Sequence, residues 1–194
     1  MLFRSSTTAP STHLIIPTVL QSSSGKVDTT LRLLVPGTLD ASVRVSVKSG
    51  DGEFTPVGFD DRSIKSGFVT DIAIPDLTSS TPMAFVIDSD QPIVAGVLTQ
   101  MKGGDFAWAA ASKPIDTLSM NFTTLSPKFV FAGKSISVSI SWKDGNGKSN
   151  RTRVSGDGIA FWSPGKAGIR TITITSNPKS GTVGGVILRN NYQI

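Results

Sequence analysis

Val43, Val45 and Val47 alternate with Arg44, Ser46 and Lys48, and Ile136, Val138 and Ile140 alternate with Ser135, Ser137, Ser139 and Ser141. An extended backbone points successive side chains to opposite faces, so a period of two predicts half-buried strands with one wet face. Val45 and Val138 then hold equivalent core positions, while Ser46 and Ser139 face out. Phe68–Ile74 alternates as well and stops at Pro75. Leu31–Val35 is bounded by Pro36-Gly37, Met83–Asp88 follows Pro82, and Gly158–Trp162 runs up to Pro164-Gly165. Ile172 and Ile174 stand among Thr171, Thr173 and Thr175, and Val183–Leu188 reads as a closing strand. Ile93–Leu98 is apolar almost throughout, which fits a central strand covered on both faces. Gly50-Asp51-Gly52 and Asp144-Gly145-Asn146-Gly147 supply turns. Leu14–Val19 is expected at a sheet edge, broken at Pro17, and no segment shows helical periodicity.

These segments recur. Val43–Val47 with Asp51-Gly52 is answered by Ile136–Ile140 with Asp144-Gly145, Gly67-Phe68 by Gly158-Ile159, and Ala84–Leu98 by Thr171–Leu188. Within the last pair, Ser89-Asp90 matches Ser176-Asn177 as a turn, and Val94-Ala95-Gly96-Val97 matches Val183-Gly184-Gly185-Val186. An interval of about ninety residues is a whole domain, because solenoid repeats run only about 20–50 residues. The expected fold is all-β: two tandem immunoglobulin-like β-sandwich domains related by internal duplication. The boundaries that follow are an extended lead-in at 1–25, a first sandwich at 26–112, a connector at 113–119 and a second sandwich at 120–194.

Composition narrows the chemistry. The 194-residue chain is 38% hydrophobic and 17% charged, with 19 glycines and 11 prolines, which suits short strands and tight turns. It has no cysteine, which excludes thiol catalysis, disulfides and thiolate metal sites together. No signal peptide is visible, and His13-Leu14-Ile15-Ile16 is too short for a signal core or a membrane span. The formal net charge of +5 looks suggestive of an anionic partner, for which an acidic cell wall or membrane surface is a better candidate than nucleic acid. Plain solubility accounts for it more simply than either. The Lys and Arg residues are scattered, in no run longer than two, which argues against nucleic acid.

His13, the single histidine, sits in the lead-in and reads as a surface residue, not part of a catalytic triad. Asp60-Asp61, Asp88 with Asp90, and Asp144 with Asn146 could seed a calcium site. The position that should continue the last of these is Lys148, no bidentate Glu follows, and turn formation explains all three clusters. Glu53 is the only glutamate, so nothing asks for a paired-carboxylate glycosidase site. No catalytic residue, metal or cofactor is expected. Tryptophan remains. Trp142 and Trp162 are the candidate ligand-binding residues, as platforms on which a sugar ring could stack, with Trp142 the more exposed. Trp108 is expected to be buried, against the first core or at its junction with the second domain.

Leu31-Arg-Leu-Leu-Val-Pro-Gly37, Val43–Val47 ending in Gly50-Asp-Gly52, Asp90-Gln-Pro-Ile-Val-Ala-Gly96 and Asp105-Phe-Ala-Trp-Ala-Ala-Ala-Ser-Lys-Pro114 stand in that order. In this the chain resembles the domain of unknown function 5719 family, over roughly residues 30 to 190. The family belongs to the cell envelope of certain Gram-positive bacteria, and its members carry an N-terminal signal or anchor and further β-domains ahead of this part. The resemblance implies an extracytoplasmic, non-enzymatic bacterial protein with no catalytic residues to carry over. Its partner would be an envelope glycan or another envelope protein. The expected function is a structural or interaction module of the cell envelope. The alternatives are a glycan-binding module using exposed tryptophans and a coat-like structural subunit, with an enzyme last.

Overall fold

A computed structural model describes residues 9–19, 27–50, 52–74, 83–101, 106–125, 127–165 and 168–187. Asp51, Pro75, Pro82, Asp105 and Leu188, each given a place in a turn, strand or motif by the sequence, lie outside the described residues. So do residues 1–8 and 20–26, most of the expected lead-in. The fold is all-β, and the chain divides between Ser112 and Lys113 into two units, each with its own core.

The first unit contains β1 (Ser11–Val19), β2 (Val27–Leu34), β3 (Ala41–Ser49), β4 (Gly52–Phe54), β5 (Arg62–Ile64), β6 (Val69–Ile74), β7 (Met83–Met101) and β8 (Phe106–Ala110). β7 is 19 residues long and serves two sheets. Its first half pairs with β1 and with β3, which is bonded in turn to β4 and β5. Its second half pairs with β8 and with β2, which is bonded in turn to β6. Met83, Phe85 and Ile87 enter the core from the first sheet, and Ile93, Ala95 and Val97 from the second. One face of one strand therefore lines both walls of the core. The turn expected at Ser89-Asp90 does not form: Ser89 stays in register with Val43, and the Asp90 carboxylate accepts the Ser42 N–H at 2.8 Å, so the strand runs on.

Leu14 and Ile16 belong to this core, so β1 is part of the sandwich and not a lead-in to it. Its register slips between Ile16 and Val19, around Pro17, which has no N–H to give to a ladder. Val45 is in the core as its alternation requires. Ser46 faces the other way but is not open to water, because its hydroxyl donates to Glu53 Oε1 at 2.6 Å.

The second unit contains β9 (Thr117–Leu125), β10 (Lys128–Lys143), β11 (Ser149–Trp162), β12 (Ile169–Ser176) and β13 (Val183–Ile187), with one turn of 3-10 helix at Pro178–Ser180. β10 and β11 form a long hairpin. The first half of β10 also pairs with β13 and its second half with β12, which pairs with β9. Between the pairs Gly133↔Gly158 and Ile136↔Gly156, β10 carries one residue more than β11. This bulge moves the inward face from odd positions (Phe129, Phe131) to even ones (Ile136, Val138, Ile140). Ser139 is exposed. Residues 113–119 are not a free connector. Ile115 is buried in this core, its N–H donates to Thr182 O at 2.8 Å, and β9 begins at Thr117.

Candidate functional site

Across the outer face of the second sheet of unit one, four strands build a single row. Asp71 of β6 stands opposite Arg32 of β2, and Arg32 stands opposite Gly96 of β7. Trp108 enters from β8, where it pairs with Leu98. Arg32 donates to both Asp71 oxygens, Nε to Oδ1 at 2.7 Å and Nη2 to Oδ2 at 2.6 Å, a bidentate fork. The hydrogen bond from Arg32 holds the Asp71 carboxyl below the usual carboxylate range, with the guanidinium charge acting in the same direction against some desolvation. The same guanidinium lies 5.7 Å from the centre of the Trp108 ring, within cation–π range.

Gly96 makes this possible. A Cβ at that position would sit 2.5 Å from the Trp108 ring, far inside contact distance, so only glycine lets the indole lie down on the sheet. Exposed Val69 and half-buried Leu34 flank the row on its side away from Leu98. Trp108 is thus half-buried on an outer face and does not belong to the first core, the first of the two settings its neighbouring alanines suggested. Arg32, Asp71 and Gly96 escaped the sequence reading. The signal was there: polar residues at the outward positions of two strands, and a glycine inside an otherwise apolar run.

Trp142 and Trp162 come together in the second unit. Their ring centres are 4.7 Å apart at 65°, edge to face, and Trp162 also lies 5.5 Å from Phe129 at a tilt of 40°. Both are half-buried and pack against the second core. Such a pair is worth about 0.5–1.5 kcal/mol beyond its buried area. Neither ring is a lone platform on an outer face.

The remaining candidates have local partners. His13 Nδ1 lies 2.6 Å from Asp88 Oδ1, on the strand it pairs with. Asp60 lies 3.5 Å from Arg44, and Asp61 takes a left-handed turn conformation with φ of 51°. Asp144 Oδ1 accepts the N–H groups of Asn146 at 2.9 Å and Lys148 at 3.0 Å. Desolvation pushes the Asp144 carboxyl up, but the N–H groups of Lys148 and Asn146, the Asn150 side chain and the Lys148 charge together outweigh it and leave it lowered. Its oxygens close a turn. Glu53 is also lowered, first by its hydrogen bond from Lys48 at 2.7 Å and then by that from Ser46. Among the described residues no three His, Asp or Glu side chains gather to hold a metal, and no helix is long and apolar enough to cross a membrane.

The model of a family of unknown function (DUF5719) matches residues 3–155. The chain belongs to DUF5719. The matched stretch takes in the Asp71–Arg32–Trp108 row and ends inside β11 of the second unit. No curated protein and no solved structure matches this DUF5719 chain.

Proposed function

We propose that the protein is a non-catalytic, extracytoplasmic module of the cell envelope that works by interaction, built from two immunoglobulin-like β-sandwiches that arose by duplication. The order of the ladders supports the duplication. β1 on the first half of β7 corresponds to β9 on β12, and β3 on that half to the second half of β10 on β12. β2 on the second half of β7 corresponds to the first half of β10 on β13, and β6 on β2 to the end of β11 on β10. The correspondence keeps chain order throughout. Gly67 and Gly158, matched by sequence, share a left-handed conformation with φ of 76° and 78°. The β2·β6 and β3·β7 pairs match the B·E and C·F pairs of an immunoglobulin sandwich, whereas β1 and the second half of β7 depart from it, each lying in the sheet where an immunoglobulin domain places the other.

The observation that carries the interaction reading is the Asp71–Arg32–Trp108 row. An outer sheet face with a tryptophan, an arginine and apolar neighbours has the composition of a protein contact surface, where Trp and Arg dominate the binding energy. Membership of DUF5719, with the envelope association the resemblance implies, supports the location. The glycan reading through Trp142 and Trp162 is weaker, because a sugar stacking on either ring competes with their mutual packing. Co-sedimentation with isolated Gram-positive cell walls tests the proposal. The protein should pellet better with walls that retain their proteins than with walls stripped of them, and should lose that difference as Trp108→Ala or Arg32→Ala. Undiminished binding by both variants, or release of soluble wall fragments by the protein, would overturn it.

A further inference from the structure

The outer face of the second unit's sheet has a different chemistry. On β10, Ser139, Ser141 and Lys143 point outward; on one side they face the threonines Thr175, Thr173 and Thr171 of β12, and on the other Arg153, Arg151 and Ser149 of β11. β9 extends the same rows with hydroxyl and amide side chains. Every outward position in these rows is Ser, Thr, Asn, Lys or Arg, with no carboxylate and no apolar side chain. Lys143, Arg151 and Arg153 are exposed, and among the described residues none pairs with an acidic group. Arg153 Nη2 donates to Ser137 Oγ at 2.7 Å, which lays the guanidinium along the sheet. The Ser119 and Thr173 hydroxyls bond at 3.1 Å across β9 and β12, so the grid is partly locked before any ligand arrives.

We propose that this face binds a carboxylated polysaccharide, a chain of uronate-type sugars lying across β10, β11 and β12. Arginine forks match carboxylates bidentately, and Arg151 and Arg153, two residues apart on one strand, stand about 7 Å from each other. Fixed rows of hydroxyls can exchange hydrogen bonds with sugar hydroxyls on a flat surface. The uncompensated positive stripe supplies complementary charge. A nucleic acid fits less well, since the face has no aromatic ring on which a base could stack. The inference deepens the interaction-module reading by giving the second unit a ligand class of its own. It rests on β9–β12 alone, so loss of the Trp108 contact surface would leave it standing.

Affinity electrophoresis of the full chain through gels containing polygalacturonate tests it, with fully methyl-esterified polymer as the neutral control and oligo(dT) and polyphosphate as competing polyanions. The protein should be retarded by polygalacturonate and not by the ester. Arg151→Gln with Arg153→Gln should weaken retardation about tenfold or more, Ser139→Asp should weaken it as well, and Trp108→Ala should leave it unchanged. Ser139, Arg151 and Arg153 are exposed and Trp108 is half-buried, and an unaltered melting temperature establishes that each variant is folded. Equal binding of the ester, unchanged binding by the double arginine variant, or stronger competition by oligo(dT) or polyphosphate at equal charge would overturn the proposal.

Discussion

Gly96 decides where an aromatic ring twelve residues further along the chain can lie. Replacing it by Val puts a branched side chain where the Trp108 ring rests, so the indole must swing off the sheet and leave Arg32. With Trp142 and Trp162 changed to Phe, the emission of Trp108 is expected to shift to the red in Gly96→Val and to be quenched more readily by iodide. Unchanged emission would mean that the ring does not lie over Gly96. The sequence revealed the residue and misjudged its setting. A tryptophan among alanines looks like a core anchor, and only the pairing of β2, β7 and β8 shows the alanine side facing in and the indole facing out. The carboxylates give a second prediction. Asp71, Glu53 and Asp144 all have lowered folded-state pKa values, so each contributes stability above its unfolded pKa that is lost as pH falls through the folded one. The melting temperature should therefore drop on acidification through and below the ordinary carboxylate range. Asp144→Asn should flatten part of that fall, and a pH-independent melting temperature there would contradict the turn geometry.

At the scale of elements, alternation was a reliable guide and punctuation was not. Val45, Val138, Ile172 and Ile174 all lie in a core, as period-two patterning requires. Val138→Asp buries a charge without a partner and should cost about 3 kcal/mol or more, whereas Ser139→Asp should leave the denaturation midpoint almost unmoved. Equal tolerance of both would mean that the β10 register is wrong. Strand lengths were harder to read. Ser89-Asp90 has turn composition, yet the pairing of Ser89 with Val43 and the Ser42–Asp90 hydrogen bond hold it extended within β7. The bulge before Ile136 was equally hidden, because a one-residue excess is defined by the partner strand and leaves the local sequence pattern intact. The hydroxyl face of β12 and β10 was written in the alternation itself. Its cationic edge became visible only when the hairpin brought Arg151 and Arg153 beside those serines.

For the whole molecule, the division after Ser112 predicts that residues 113–194 expressed alone give a β-type circular dichroism spectrum and melt cooperatively. A featureless melt would mean that the second core needs the first half of the chain. The all-β fold was legible because alternation marks strands along most of the chain. The outer sheet faces were not, because such a face is assembled from outward positions on several strands and has no motif along any one of them. In the first unit the long strand β7 has a kinetic consequence. Amide hydrogens exchange with solvent only when their ladder opens, and a ladder opens independently only if it has a border of its own. Here the β3 ladder closes on Ala84–Ser89 and the β2 ladder on Val94–Met101 of one unbroken strand, and the inward side chains of both halves fill a single core, so losing that core opens both ladders together. The slowest amides of β2 and β3 should therefore share one opening free energy, and denaturant should lower both with the same slope.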